Sequence, residues 1–156
     1  MSGLRPQPNN LTRLLQQVQQ DLKENHGRHI FVYNHLQTNQ VVYSLTRAMD
    51  NTNALSQITF VGKKTKPPKL RKDVWQPLAS ITFPNSSQGL VAYRQLREFR
   101  KLHEHNWVRE DGRYPQLREE ENKFLVATGN LPTNKQRARI IMDQKANTVA
   151  DIAAVL

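Results

Sequence analysis

The chain has 156 residues, 23 of them Lys or Arg and 13 Asp or Glu, for a formal net charge of +10 and a sequence pI near 10.2. That length suits one domain with one core, and the cationic excess points to a polyanion, either nucleic acid or an anionic membrane surface, with phosphate favoured. The lack of cysteine excludes disulfides, thiolate nucleophiles and Cys-based zinc sites, and no apolar run approaches the roughly 20 residues that span a bilayer, so no membrane insertion is expected.

The order of elements suggests an N-terminal helix or extension over 1–27, a single α+β domain over 28–132, and a tail over 133–156 that is first basic and then apolar. Asn10 is placed to cap a helix from Leu11 to about Glu24, with Leu11, Leu14, Leu15, Val18 and Leu22 as a stripe facing the body. Arg5, Arg13 and the lack of acids in the first twenty residues also give this stretch the character of an organelle transit peptide. Arg28 to Leu36 and Gln40 to Leu45 are rich in β-branched and aromatic residues around a Gln37-Thr38-Asn39 turn, which predicts an antiparallel hairpin. A short helix capped by Asp50 or Asn51 follows to Ser56, and a third strand over Ile58 to Val61 leads into a basic loop. Val74 to Phe83 is expected to be a fourth strand, with Pro77 forcing an edge position or a break.

Gln88 to Asn106 carries the strongest helical periodicity, with Leu90, Tyr93, Leu96, Phe99 and Leu102 alongside Ala92 on the core side and Arg94, Arg97 and Lys101 on a basic outer face that Arg100 extends. Leu117 to Val126 reads as a short helix, and Gly129 and Pro132 interrupt the chain beyond it. The tail opens with Lys135, Arg137 and Arg139. The expected fold is α+β: a mostly antiparallel sheet of about four strands covered by helices, with a basic loop and an extended C-terminal tail.

The densest charge lies in Gly62 to Lys72, where Lys63, Lys64, Lys66, Lys69, Arg71 and Lys72 place six cations in eleven residues with no acid among them. Pro67-Pro68 keeps this backbone extended, so its cations project from a loop. With Arg94, Arg97, Arg100 and Lys101 from the helix, and Lys135, Arg137 and Arg139 from the tail, they form the candidate RNA-binding set.

Patterns that would carry chemistry are incomplete. Gly62-Lys63-Lys64-Thr65 lacks both the upstream Gly, where Gln57 stands, and a hydroxyl residue directly after the first Lys of a nucleotide-binding loop. Ile30 to Asn34 looks like one of the two strand motifs of RNA-recognition domains, but its companion is missing, and Phe31 and Tyr33 are assigned to opposite sheet faces. Glu121-Asn122-Lys123 and Asp143-Gln144-Lys145 share an acid-x-Lys spacing too common to mark a nuclease. His26, His29, His35, His103 and His105 show no ligand spacing, and Trp75 and Trp107 read as packing anchors. No catalytic residue, cofactor or metal is expected.

Several strings together carry a family resemblance: Arg28-His-Ile-Phe-Val-Tyr, Thr38-Asn-Gln-Val-Val-Tyr-Ser-Leu, Gly62-Lys-Lys-Thr, Leu70-Arg-Lys-Asp-Val-Trp-Gln-Pro, Leu96-Arg-Glu-Phe and Asp143-Gln-Lys-Ala-Asn-Thr-Val-Ala-Asp. From Arg28 to Leu156 the chain resembles a fungal mitochondrial large-subunit ribosomal protein family, also described as a mitochondrial homologous recombination and transcriptional coregulator family. The resemblance implies a non-enzymatic constituent of the large ribosomal subunit in the mitochondrial matrix, in contact with large-subunit ribosomal RNA and neighbouring ribosomal proteins. Its alternative is a DNA-pairing recombination factor and transcriptional coregulator acting on mitochondrial DNA off the ribosome. Family members can continue past Leu156; if such tail residues normally fold onto the body, Ala153 to Leu156 would here need a neighbouring protein or RNA surface.

Overall fold

A computed structural model describes residues 9–58 and 67–156. In chain order the described elements are α1 (Asn10–Asn25), β1 (His29–His35), β2 (Val41–Ser44), α2 (Asn51–Gln57), β3 (Trp75–Thr82), α3 (Ser86–His105), α4 (Glu119–Thr128), α5 (Asn134–Met142) and α6 (Lys145–Val155). The class is α+β.

β1 is the centre of an antiparallel sheet of order β2-β1-β3. Val32 faces Tyr43 in β2, and Ile30 faces Ile81 in β3. Among the described residues the sheet has three strands rather than the four expected. Ile58 caps the C-terminus of α2 with its N–H on Leu55, and positions 59–61 of the anticipated strand lie outside the described residues. The strand containing Pro77, β3, pairs directly with β1. Among the described residues it lies at the sheet edge, where a residue without an N–H is tolerated, and the ladder shifts register between Val32 and Tyr33, opposite Pro77.

Alternation along the strands divides the core between two sheet faces. On one, Ile30, Val32, Val41, Tyr43 and Ile81 pack with Ala92 and Leu96 of α3, and with Ile152 and Val155 of α6. On the other, Tyr33 and Val42 pack with Ala54, Ile58, Leu70 and Trp75. Phe31 joins that second cluster, so Phe31 and Tyr33 share a face instead of taking opposite ones, as residues two apart in a strand must. A third cluster forms from Tyr114, Leu117, Leu125 and Ile140, with Trp107 against it.

Asn85 caps α3 by accepting the Gln88 N–H at 2.9 Å. The buried side of α3 is Gly89, Ala92, Leu96 and Arg100, while Leu90 and Leu102 are exposed, so the core stripe is rotated from the one expected. Close approach explains the rotation. Gly89 lies against the backbone of Gly27, whose φ is +86°, and a Cβ at Gly89 would overlap the Gly27 carbonyl.

The region after 133 is helical rather than extended. Thr133 accepts the Gln136 N–H while Gln136 returns a bond to the Thr133 N–H, a complete capping box for α5. α6 docks on the sheet through Ile152 and Val155, and His103 of α3 meets Asp151 of α6 at 3.0 Å.

Two glutamines bond to the outer side of β2. The Gln57 amide accepts from the Tyr43 N–H at 2.9 Å and donates to the Tyr43 carbonyl at 2.8 Å. The Gln144 side-chain oxygen accepts from the Val41 N–H at 3.0 Å. α1 contrasts with this integration: none of its residues is buried, and Leu11, Leu14, Leu15, Val18 and Leu22 are all exposed. Its stripe does not face the body as expected.

Candidate nucleic-acid interface

Lys63, Lys64 and Lys66 lie outside the described residues. The second half of the basic loop is anchored by Leu70, whose side chain is buried in the core and whose N–H donates to Asn51 at 3.0 Å. Lys69, Arg71 and Lys72 are exposed on either side of that anchor. Arg71 is engaged by Asp73 at 2.7 Å, and each holds the other in its charged form, the arginine pKa raised and the carboxylate pKa lowered.

On α3, Arg94 and Lys101 are exposed, and Arg97 is half-buried with its guanidinium 5.8 Å from the Tyr93 ring centre. Arg100 departs from the expected outer face and is only 7% exposed. Its side chain enters the interior, and burial pushes its pKa down to about 10 against the opposing charge of Glu104 and the phenol of Tyr43. It therefore stays cationic at neutral pH. The same burial raises the Tyr43 pKa, partly offset by a hydrogen bond with Thr148 and by Arg100.

On α5, Lys135, Arg137 and Arg139 are exposed. Arg139 reaches both Glu121 oxygens at 3.0 Å, which couples α5 to α4 and occupies part of its guanidinium. Arg137 stacks 5.7 Å from the Trp107 ring centre.

Residues from separate parts of the chain converge beside the C-terminal half of α3. Arg97, Arg100, Lys101 and His105 of α3 and Arg137 of α5 line a cleft of about 280 Å³, closed on one side by Ser56, Gln57 and Ile58 and carrying one acid, Glu104. Ile58 also borders a second hollow that holds Lys69 and Arg71 beside His35 and Trp75. The cleft thus unites tail and helix cations that the sequence treats as separate clusters, and it adds His105. Arg94, Lys135 and Arg139 do not line it.

The acid-x-Lys pairs have other partners. Glu121 binds Arg139, Lys123 lies 3.2 Å from Glu119, and Asp143 accepts from Gln116 at 3.2 Å. Among the described residues no three His, Asp or Glu side chains are grouped to hold a metal ion, and no helix is long and apolar enough to cross a membrane.

The domain just described, from the turn at Gly27 through the sheet and α3, coincides with a family match. The family model Mhr1, transcriptional regulation of mitochondrial recombination, covers residues 27–110, and the chain belongs to that family. The chain is 37% identical over 134 residues to the large ribosomal subunit protein mL67 of Neurospora crassa, a match covering 84% of this chain and 42% of the relative. It is 30% identical over 136 residues to the Schizosaccharomyces pombe protein of the same name, covering 83% of this chain and 68% of the relative. A Candida albicans mL67 is 29% identical over 80 residues, covering 51% of this chain and 34% of the relative. The chain therefore spans less than half the length of the Neurospora relative.

Proposed function

We propose that this chain is a non-catalytic constituent of the mitochondrial large ribosomal subunit, held in the matrix by contacts to ribosomal RNA phosphates and to neighbouring ribosomal proteins. The observation that carries the RNA reading is the cleft at which Arg97, Lys101 and Arg137 meet, close to the hollow bordered by Lys69 and Arg71. The relatives are named as large ribosomal subunit proteins, which supports the ribosome as the setting of this reading. In this reading the basic loop, Lys63, Lys64, Lys66, Lys69, Arg71 and Lys72, neutralises backbone phosphates, and Arg94, Arg97, Lys101, Lys135, Arg137 and Arg139 extend the footprint.

The test is a sucrose gradient of mitochondrial lysate before and after a high-salt wash. Continued sedimentation with large-subunit RNA supports the ribosomal reading, and release at moderate salt into a pool with mitochondrial DNA overturns it. That second outcome is the alternative reading, DNA pairing in recombination and transcriptional regulation, which the family description favours. For the loop itself, replacing its six cations by Ser should flatten the log-log salt dependence of RNA binding by up to about 4–5 units. An unchanged slope would remove the loop from the footprint.

A further inference from the structure

Arg100 is a cation placed where neither water nor an acceptor reaches it readily. It is 7% exposed, and its Nε, Nη1 and Nη2 atoms are all buried without a hydrogen-bond partner. A guanidinium has five N–H donors in a planar fork and no acceptor, and desolvating that charge without pairing it is costly. Glu104, one turn along, attracts it through space but accepts none of its N–H groups. The Gln57 amide at the cleft wall is bonded to Tyr43 and Asn53.

We infer that the cleft between α2, α3 and α5 is a site for a single phosphoryl group, bound from below by Arg100 and at the rim by Arg97, Lys101 and Arg137. In this structure the Arg100 guanidinium is sealed from water, so its planar fork, which matches two oxygens of a tetrahedral oxyanion, engages the anion when the side chain turns toward the α2 side. Arg97 and Arg137 are already oriented by their aromatic partners Tyr93 and Trp107, which reduces the ordering cost of closing on an anion. Arg100 also touches a second cavity of about 350 Å³, but Asp143 and Asp151 line that one along with Glu104, so an anion is favoured on the α2 side. At about 280 Å³ the cleft lies near the small end of ligand pockets, room for a phosphate with its sugar. The chemistry is shared by an RNA backbone phosphate and by free phosphate. The inference rests on the RNA-binding reading for which of these is the natural ligand.

The test is the melting temperature of the full chain against inorganic phosphate, with chloride balancing ionic strength. A saturable rise is expected, because a ligand that binds only the folded state stabilises it by mass action. Arg100→Met should abolish the rise while filling similar space without a charge. Should that variant not fold, Arg97→Ser/Lys101→Ser/Arg137→Ser leaves the core intact and should weaken the phosphate midpoint by about tenfold or more. Lys145→Ser, a cation removed elsewhere, should respond as the parent does. A parent response no larger than that to chloride, or a parent-like response in Arg100→Met or the triple variant, overturns the inference. Loss of the phosphate effect when an RNA oligonucleotide without terminal phosphates is added assigns the site to backbone phosphate, and its persistence assigns it to free phosphate. A chain that answers to phosphate but binds no RNA sinks the RNA reading alone, and RNA binding without any phosphate response sinks the pocket alone.

Discussion

His35 shows how one side chain ties charge state to fold. Its Nδ1 accepts the N–H groups of Gln37 at 3.1 Å and Thr38 at 3.2 Å, which requires an unprotonated nitrogen. Burial, and then the charge of Arg71, lower its pKa below 6.5. The unfolded chain consequently binds the proton more readily, so the stabilising contribution of His35 is complete above about pH 6.5 and is lost as pH falls through the folded pKa. An NMR titration should give His35 a midpoint below 6.5, and a midpoint above that value would contradict the geometry. Gly89 makes a steric demand instead. Gly89→Ala should cost about 2–3 kcal/mol in denaturant unfolding, because the new methyl meets backbone rather than a yielding side chain; a cost near zero would mean the helix can retreat freely. Neither constraint could be read from sequence, since each depends on which residues fold back against that position. Arg100 was partly legible: it stands four residues after Leu96, on the same helical stripe, and only its charge argued for the outer face.

Among the elements, α5 and α6 show where local signals were present but outweighed. The Thr133-x-x-Gln136 string is a helix start, and Ile140, Ile141, Ile152 and Val155 supply apolar positions for helices, although the expectation from sequence is an extended tail. Thr133→Ala should cost about 1 kcal/mol, measured by chemical denaturation, because it orphans the Gln136 N–H. The hairpin, α2 with its Asp50 cap, and the edge strand with Pro77 were legible because turn chemistry, capping and β-branching all agree there. α1 reads well as a helix but poorly as a packing element: its periodicity fixes a stripe without saying what covers it.

At the scale of the whole molecule, the sheet, with α3 and α6 on one face and α2 and the Leu70 segment on the other, carries α3 to where its last turns meet α2 and α5, and that meeting makes the cationic cleft. Composition raises the expectation of a polyanion partner, but the distance in sequence between Arg97 and Arg137 hides their common address until both helices are in place. Trp107 serves both ends of this arrangement, packing on the cluster that includes Ile140 and supporting the guanidinium of Arg137. The same assembly decides how the sheet can meet other chains. A border strand normally offers a row of bare donors and acceptors to any passing segment, an open invitation to strand addition and aggregation. Here Gln57 and Gln144 fill that row on β2 at Tyr43 and Val41, and the opposite border strand carries Pro77. Gln57→Leu should uncover the Tyr43 peptide groups and give concentration-dependent association in sedimentation velocity, whereas a variant that stays monomeric would show that the amide is not what guards the border. Two side-chain amides, recruited from a helix end and a helix start, thus occupy the backbone groups at which another strand would add to β2.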